Sequence, residues 1–166
     1  AGTYSVTVTD INLCPEILSL NVSQPSELAS SLTHTNIDCY GNNNGSIDLI
    51  PSGGVGNYSF LWSNNESTAN IDNLIPGDYI VVITDGNGCI VSDTSTITEP
   101  TELIITSSYD NVDCNGGESG SIDITATGGT GALSYIWSNG SNSEDLNNLP
   151  AGNYTVDVTD ANGCQE

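Results

Sequence analysis

Lysine and arginine are absent from this chain of 166 residues, and a single histidine faces 21 aspartates and glutamates, giving a formal charge of −21. Without basic side chains there is no surface to attract nucleic-acid phosphates or anionic lipid, so partners of that kind are excluded on charge. Salt bridges are excluded as well, unless His34 is protonated. So is any Lys-Asn or Lys-Asp isopeptide crosslink, since there is no lysine to form one. No run of about 18 apolar residues occurs, so no membrane-spanning segment is expected. The opening Ala1-Gly2-Thr3-Tyr4 has neither the basic nor the apolar region of a signal peptide. No stretch keeps the 3.6-residue apolar period, and helices are expected to be nearly absent.

What is present is alternation. Runs such as Tyr4-Ser5-Val6-Thr7-Val8 and Tyr154-Thr155-Val156-Asp157-Val158 place every second side chain on one face, as half-buried strands do. The pattern recurs at a fixed offset of 75 residues. Asn36-Ile37-Asp38-Cys39 returns as Asn111-Val112-Asp113-Cys114, Trp62-Ser63-Asn64 as Trp137-Ser138-Asn139, and Asp85-Gly86-Asn87-Gly88-Cys89 as Asp160-Ala161-Asn162-Gly163-Cys164. The first residues join the same register, with Asp10-Ile11-Asn12-Leu13-Cys14 matching the last of these motifs. The chain therefore divides into the closing strands of one block (1–25), one full block (26–100) and a block without its last strand (101–166). This register predicts a stretch of a longer tandem array.

Within the full block, strands are expected at 26–33, 45–50, 58–63, 67–72, 78–84 and 91–98, separated by Gly-Gly, Pro-Gly and Asn-Gly turns. Short strands at this spacing predict an all-β protein of tandem immunoglobulin-like β-sandwich repeats. Trp62, Tyr79 and Val81, with Trp137, Tyr154 and Val156, are the expected core; Leu74 and Leu149 are expected to close one end.

Five cysteines remain. Two per block make Cys39–Cys89 and Cys114–Cys164 the economical pairing, leaving Cys14 to a partner outside the chain. The alternative is pairing of neighbouring blocks, Cys14 with Cys39 or Cys89 with Cys114. Either implies an oxidising, extracytoplasmic location. The Asp-x-Asn-Gly-Cys segment reads as a tight turn in which Asp and Asn bond their own backbone. A second reading makes it a source of hard oxygens for calcium. If Cys39–Cys89 and Cys114–Cys164 form, Asp38 approaches Asp85 and its neighbour Asn87, and Asp113 approaches Asp160 and its neighbour Asn162; close carboxylates call for a cation. No other cofactor is implied. His34 is not repeated, Tyr109 standing at its place, and no nucleophile, base and orienter recur together, so an enzyme is not expected.

The ordered run of Cys39, Gly45-Ser46-Ile47, Gly53-Gly54, Tyr58 four residues before Trp62-Ser63-Asn64, Leu74, Gly77-Asp78-Tyr79 and Thr84 through Cys89 resembles the SprB-type repeat of large surface adhesins of gliding Bacteroidetes. Leu133 in place of Tyr58, and Leu13 in place of a glycine, are small departures. The resemblance implies an extracellular, cell-surface adhesin that projects and adheres, with a surface polysaccharide or another cell-surface ligand as its partner. Its matched positions imply fold determinants and no catalytic residues. Two further readings are a filament subunit that binds copies of itself by strand complementation, and a carbohydrate-binding accessory module with an exposed aromatic platform.

Overall fold

The structure, a computed structural model, describes residues 1–166. It consists of small antiparallel sheets joined by turns, with strands as its only regular elements. Strands β1 (Gly2–Thr9) and β2 (Pro15–Val22) form a hairpin. The next six are β3 (Ala29–Thr35), β4 (Gly45–Ser52), β5 (Ser59–Trp62), β6 (Ile71–Leu74), β7 (Gly77–Thr84) and β8 (Ile90–Ile97). They form two sheets of order β3-β4-β6 and β5-β7-β8. The pattern then repeats as β9 (Thr101–Asp110), β10 (Gly120–Gly129), β11 (Ser134–Trp137), β12 (Leu146–Leu149) and β13 (Val156–Thr159), in sheets β9-β10-β12 and β11-β13.

Alternation decides which side chains go in. Along β7, Tyr79, Val81 and Ile83 are buried while Asp78 and Ile80 face outward; along β4, Ile47 and Leu49 are buried and Asp48 is not. One apolar cluster draws on both sheets of the first block, with Ile47, Leu49, Ile71 and Leu74 from one and Trp62, Val81, Ile83 and Ile97 from the other. The second block repeats it with Ile124, Trp137, Leu146, Leu149 and Val158. Both indoles are enclosed, Trp62 at 2% and Trp137 at 4% exposure. Each ring N–H donates to a backbone carbonyl six residues on, Thr68 and Ser143, so burial leaves no polar atom unpaired.

The segment after Ser59 makes one crossing of the block in two pieces. β5 lies beside β7, and the chain then changes sheets so that β6 lies beside β4, both pieces pointing the same way. From Cys39 to Cys89 the chain thus traverses the block three times, through β4, β5 with β6, and β7. An odd number of crossings places the two cysteines at opposite poles. The trailing pole holds Ile37, whose N–H donates to Thr98 O; the leading pole holds Gly54, whose N–H donates to Ser26 O, and the Asp85 turn beside it.

Two differences between blocks follow from the strand inventory. β13 has only β11 beside it, whereas β7 is flanked by both β5 and β8. Accordingly Tyr154 and Val156 are only half-buried, although their counterparts Tyr79 and Val81 are buried. The β1–β2 hairpin has no second layer, and Tyr4, Val8, Ile17 and Leu20 are all exposed.

Replacing Ile97 by Ala removes a fully buried side chain from the first cluster, and should cost about 2–5 kcal/mol in urea unfolding. Ile80→Ala, on the outer face of β7, should change stability by about 0.5 kcal/mol or less. Equal effects would show that β8 does not close this core.

Candidate functional site at the joint between blocks

The Asp-x-Asn-Gly-Cys segment forms the same turn three times. In the first block Asp85 Oδ1 accepts the N–H groups of Asn87 at 2.9 Å and Cys89 at 2.8 Å. Its Oδ2 accepts the N–H of Val55, 2.8 Å away, from the neighbouring Gly-Gly loop. Asp160 repeats this with Asn162, Cys164 and Thr130, and Asp10 holds Asn12 and Cys14. Gly54 and Gly129 leave room for the carboxylate, since a Cβ on Gly54 would sit 2.6 Å from Asp85 Oδ2. The residue before each cysteine has positive φ, 83° at Gly88 and 85° at Gly163; in the hairpin Leu13 adopts 68° without glycine's freedom.

Asp85 and Asp160 are nearly buried yet stay ionised. The Val55 N–H, followed by those of Cys89 and Asn87, holds Asp85 below the usual carboxylate range against the opposing effect of burial. At Asp160 burial pushes upward most strongly, and the N–H groups of Cys164, Thr130 and Asn162 together outweigh it, so the net direction is again downward.

The second component is the loop that carries the first cysteine of each block. Around Cys39, the Asn42 N–H donates to Cys39 O at 3.1 Å and the Asp38 N–H to Asn44 Oδ1 at 3.3 Å. The Asn42 amide donates to Asp38 Oδ1, and with Asn44 it holds the Asp38 carboxyl below its ordinary range. Glu99 Oε2 accepts the Gly41 N–H at 2.8 Å, fastening the loop to the three residues, Thr98 to Pro100, that lead into β9.

The trailing pole of the first block and the leading pole of the second meet here. Cys39 is bonded to Cys164, with Cα atoms 5.6 Å apart, and the Asn162 amide donates to Asp38 O at 2.9 Å. A cleft of about 360 Å³ lies alongside, lined by Tyr40, Asn42, Leu103 and Asp160 among others. The joint is thus closed twice, by a short linker containing Pro100 and by a covalent bond, with a side-chain hydrogen bond beside it.

This arrangement corrects the expected pairing. Cys39–Cys89 and Cys114–Cys164 do not form, and Cys14, Cys89 and Cys114 are free and exposed. The reason is polarity. Eight residues of β8 at about 3.3 Å each, roughly 25 Å, lie between the poles, far beyond the Cα separation of about 7 Å a disulfide tolerates. Stapling of neighbouring blocks was the alternative, and it is what the joint shows, but with neither of the partners expected.

The proposed calcium residues are redistributed with it. Asp38 and Asp85 lie at opposite poles, as do Asp113 and Asp160. Asp38 instead meets the turn of Asp160 and Asn162 through its carbonyl. Both carboxylate oxygens of Asp85 and of Asp160 are engaged by N–H groups, and no three His, Cys, Asp or Glu side chains gather into a metal-binding group. The donors therefore do not fit a calcium site. What the sequence reading missed is Asn162 as a contact to the preceding block; its signal was the recurrence of Asn at that place in all three turns.

A repeated all-strand unit with a turn at one pole and its receiving loop at the other defines a tandem structural repeat protein. Residues 31–67 and 106–142 match the family model of the SprB repeat, one match in each block, and each runs from the first strand past the buried tryptophan. No curated protein matches the chain.

Asp85→Ala should lower the melting temperature at pH 7, and Asp85→Asn should lower it less because one acceptor oxygen survives. A carboxylate with a depressed folded pKa contributes stability that is complete above its unfolded value, about 3.9, and fades as pH falls through the lower folded value. The gap between the unaltered chain and Asp85→Asn should therefore be constant from pH 7 to about 5 and close below about pH 4. A gap that widens in acid would contradict the anchoring role.

Proposed function

We propose that residues 1–166 belong to the repeat region of an extracellular, cell-surface adhesin, whose blocks project it from the cell and mediate adhesion. Its units are the closing strands of one repeat (1–25), a complete repeat (26–100) and a second repeat lacking its last strand (101–166), the complete repeat being built as an immunoglobulin-like sandwich. Tyr79 OH and Tyr154 OH, each bonded to the carbonyl four residues upstream, support that kinship, since a tyrosine so placed marks the same corner of immunoglobulin-like domains. The observation that carries the functional reading is the covalent joint. A disulfide between consecutive blocks requires an oxidising compartment and holds one unit against the next, as a projecting stalk needs. No helix of the structure is long and apolar enough to cross a membrane. A surface polysaccharide or another cell-surface ligand is the partner this reading implies.

A filament joined by strand complementation is favoured by a different observation. The second block has a groove of about 700 Å³, lined by Ile105, Val112, Ile122, Trp137, Leu149 and Val156. In the first block β8 closes the equivalent face with Ile97, against Gly45. The hairpin strand β2 carries Val22 at the position of Ile97, and its apolar residues are exposed. A carbohydrate module reading is weakened by the burial of both indoles, which removes the expected platform.

Antibodies to this region should label intact cells of the source, and beads coated with the purified chain should adhere to the surfaces those cells colonise. Labelling seen only after lysis would contradict the surface reading. Light scattering separates the alternatives: a stalk stays monomeric as concentration rises, whereas a strand-complemented filament grows and Leu20→Asp in β2 blocks it.

A further inference from the structure

The free thiols at the two ends of the blocks are halves of joints of the kind already closed between Cys39 and Cys164. At the far pole of the second block, the Gly117 N–H donates to Cys114 O at 2.9 Å, as Asn42 does to Cys39 O. The Asp113 N–H donates to Ser119 Oγ at 2.9 Å, as Asp38 does to Asn44. Gly116 has a φ of 80°, close to the 75° of Gly41. The loop that receives Cys164 is therefore built a second time, with its sulfur exposed and its Asp113 carbonyl in the position that Asp38 presents to Asn162. At the leading pole of the first block, the Asp85 turn reproduces the turn of Asp160 bond for bond, with Cys89 exposed.

We infer that the Cys114 loop is the acceptor of a second joint, and that it takes the Asp-x-Asn-Gly-Cys turn of a further copy of this repeat following in the same polypeptide. The second observation that points to this occupant is the closed joint itself, in which the same two parts are engaged through both a disulfide and an amide hydrogen bond. The interface is heterologous, a loop at one pole meeting a turn at the other, so each block engaged on one side still presents the complementary part on the other. The first cysteine of every repeat is thereby bonded to the second cysteine of the next, 125 positions on, and each joint of an array carries one bond. Asn115 stands where Tyr40 lines the first cleft, so the second joint is more polar, while its carbonyl and its sulfur are the same. Formation of the bond releases two protons and two electrons. The oxidant is a disulfide of low molecular weight or of an exchange protein, which is reduced to two thiols as the joint closes. The ladder does not depend on what the array adheres to.

The test uses the full chain extended after Glu166 by a further copy of residues 92–166, which preserves the 75-residue register. It is oxidised in a glutathione redox buffer and mapped without reduction after digestion with pepsin, because a chain without Lys or Arg offers trypsin no site. The expected map shows Cys39–Cys164 together with Cys114 bonded to the last cysteine of the appended copy, in a monomer, while Cys89 remains open to alkylation. In Cys114→Ser the last cysteine of the appended copy should become alkylatable with Cys39–Cys164 intact, which also shows that the blocks are folded. A reduced Cys114 beside a closed Cys39–Cys164 overturns this inference and leaves the stalk reading standing. So does a bond from Cys114 to Cys164 or to another chain. Failure of Cys39–Cys164 itself to close contradicts both.

Discussion

The geometry of this protein depends on the direction in which the chain leaves each block. Because the crossing that begins at β5 finishes as β6 in the other sheet, β4, β5 with β6, and β7 amount to three traverses, and the loop after β3 ends up a strand length away from the turn after β7. A block cannot cross-link itself between those points. What it can do is offer a loop at one end and a turn at the other, and the joint at Cys39 and Cys164 is the consequence. The same arrangement explains the carboxylate chemistry. Asp85 and Asp160 are nearly buried in a chain with no lysine or arginine to pair with them, and backbone N–H groups take the place of counterions.

Stability and connection are separated in this design. Each block has its own apolar cluster around a tryptophan, and the disulfide adds nothing to the closure of either cluster taken alone. Its loop spans two blocks, so the chain-entropy benefit that a cross-link gives a single domain applies here to the pair, and its local effect is to limit bending at Pro100. For a repeat region that projects from a surface, the angle between neighbours decides reach as much as the fold of each unit does.

Much of the fold was legible from the residues. Alternation placed Tyr79, Val81 and Ile83 on one face, and the 75-residue register placed Trp62 and Trp137 in equivalent interiors, because a side-chain period of two and a large apolar group leave little choice. Strand boundaries were close for β4, β7 and β8 and less so for β6, which begins at Ile71 beyond the expected 67. The cysteine partners were not legible, and the cause is specific. Allotting two cysteines to each block makes Cys39–Cys89 the economical pair but says nothing of how often the chain crosses between them, and nothing in the composition of 58–74 announces that β5 continues as β6 in the other sheet. The calcium expectation rested on that pairing, which would have brought Asp38 to Asp85. The turn itself was read correctly as a backbone-bonding Asp, but its additional reach through Asn162 to a neighbouring block lies outside what local turn chemistry can indicate.

A disulfide map of the 166-residue chain, refolded under oxidising conditions and digested without reduction, tests the central claim most directly. The opposed-pole account predicts one linked peptide pair, Cys39 with Cys164, and alkylation of Cys14, Cys89 and Cys114. A linked pair of Cys39 with Cys89, or of Cys114 with Cys164, would place both cysteines of a block at the same pole and contradict it.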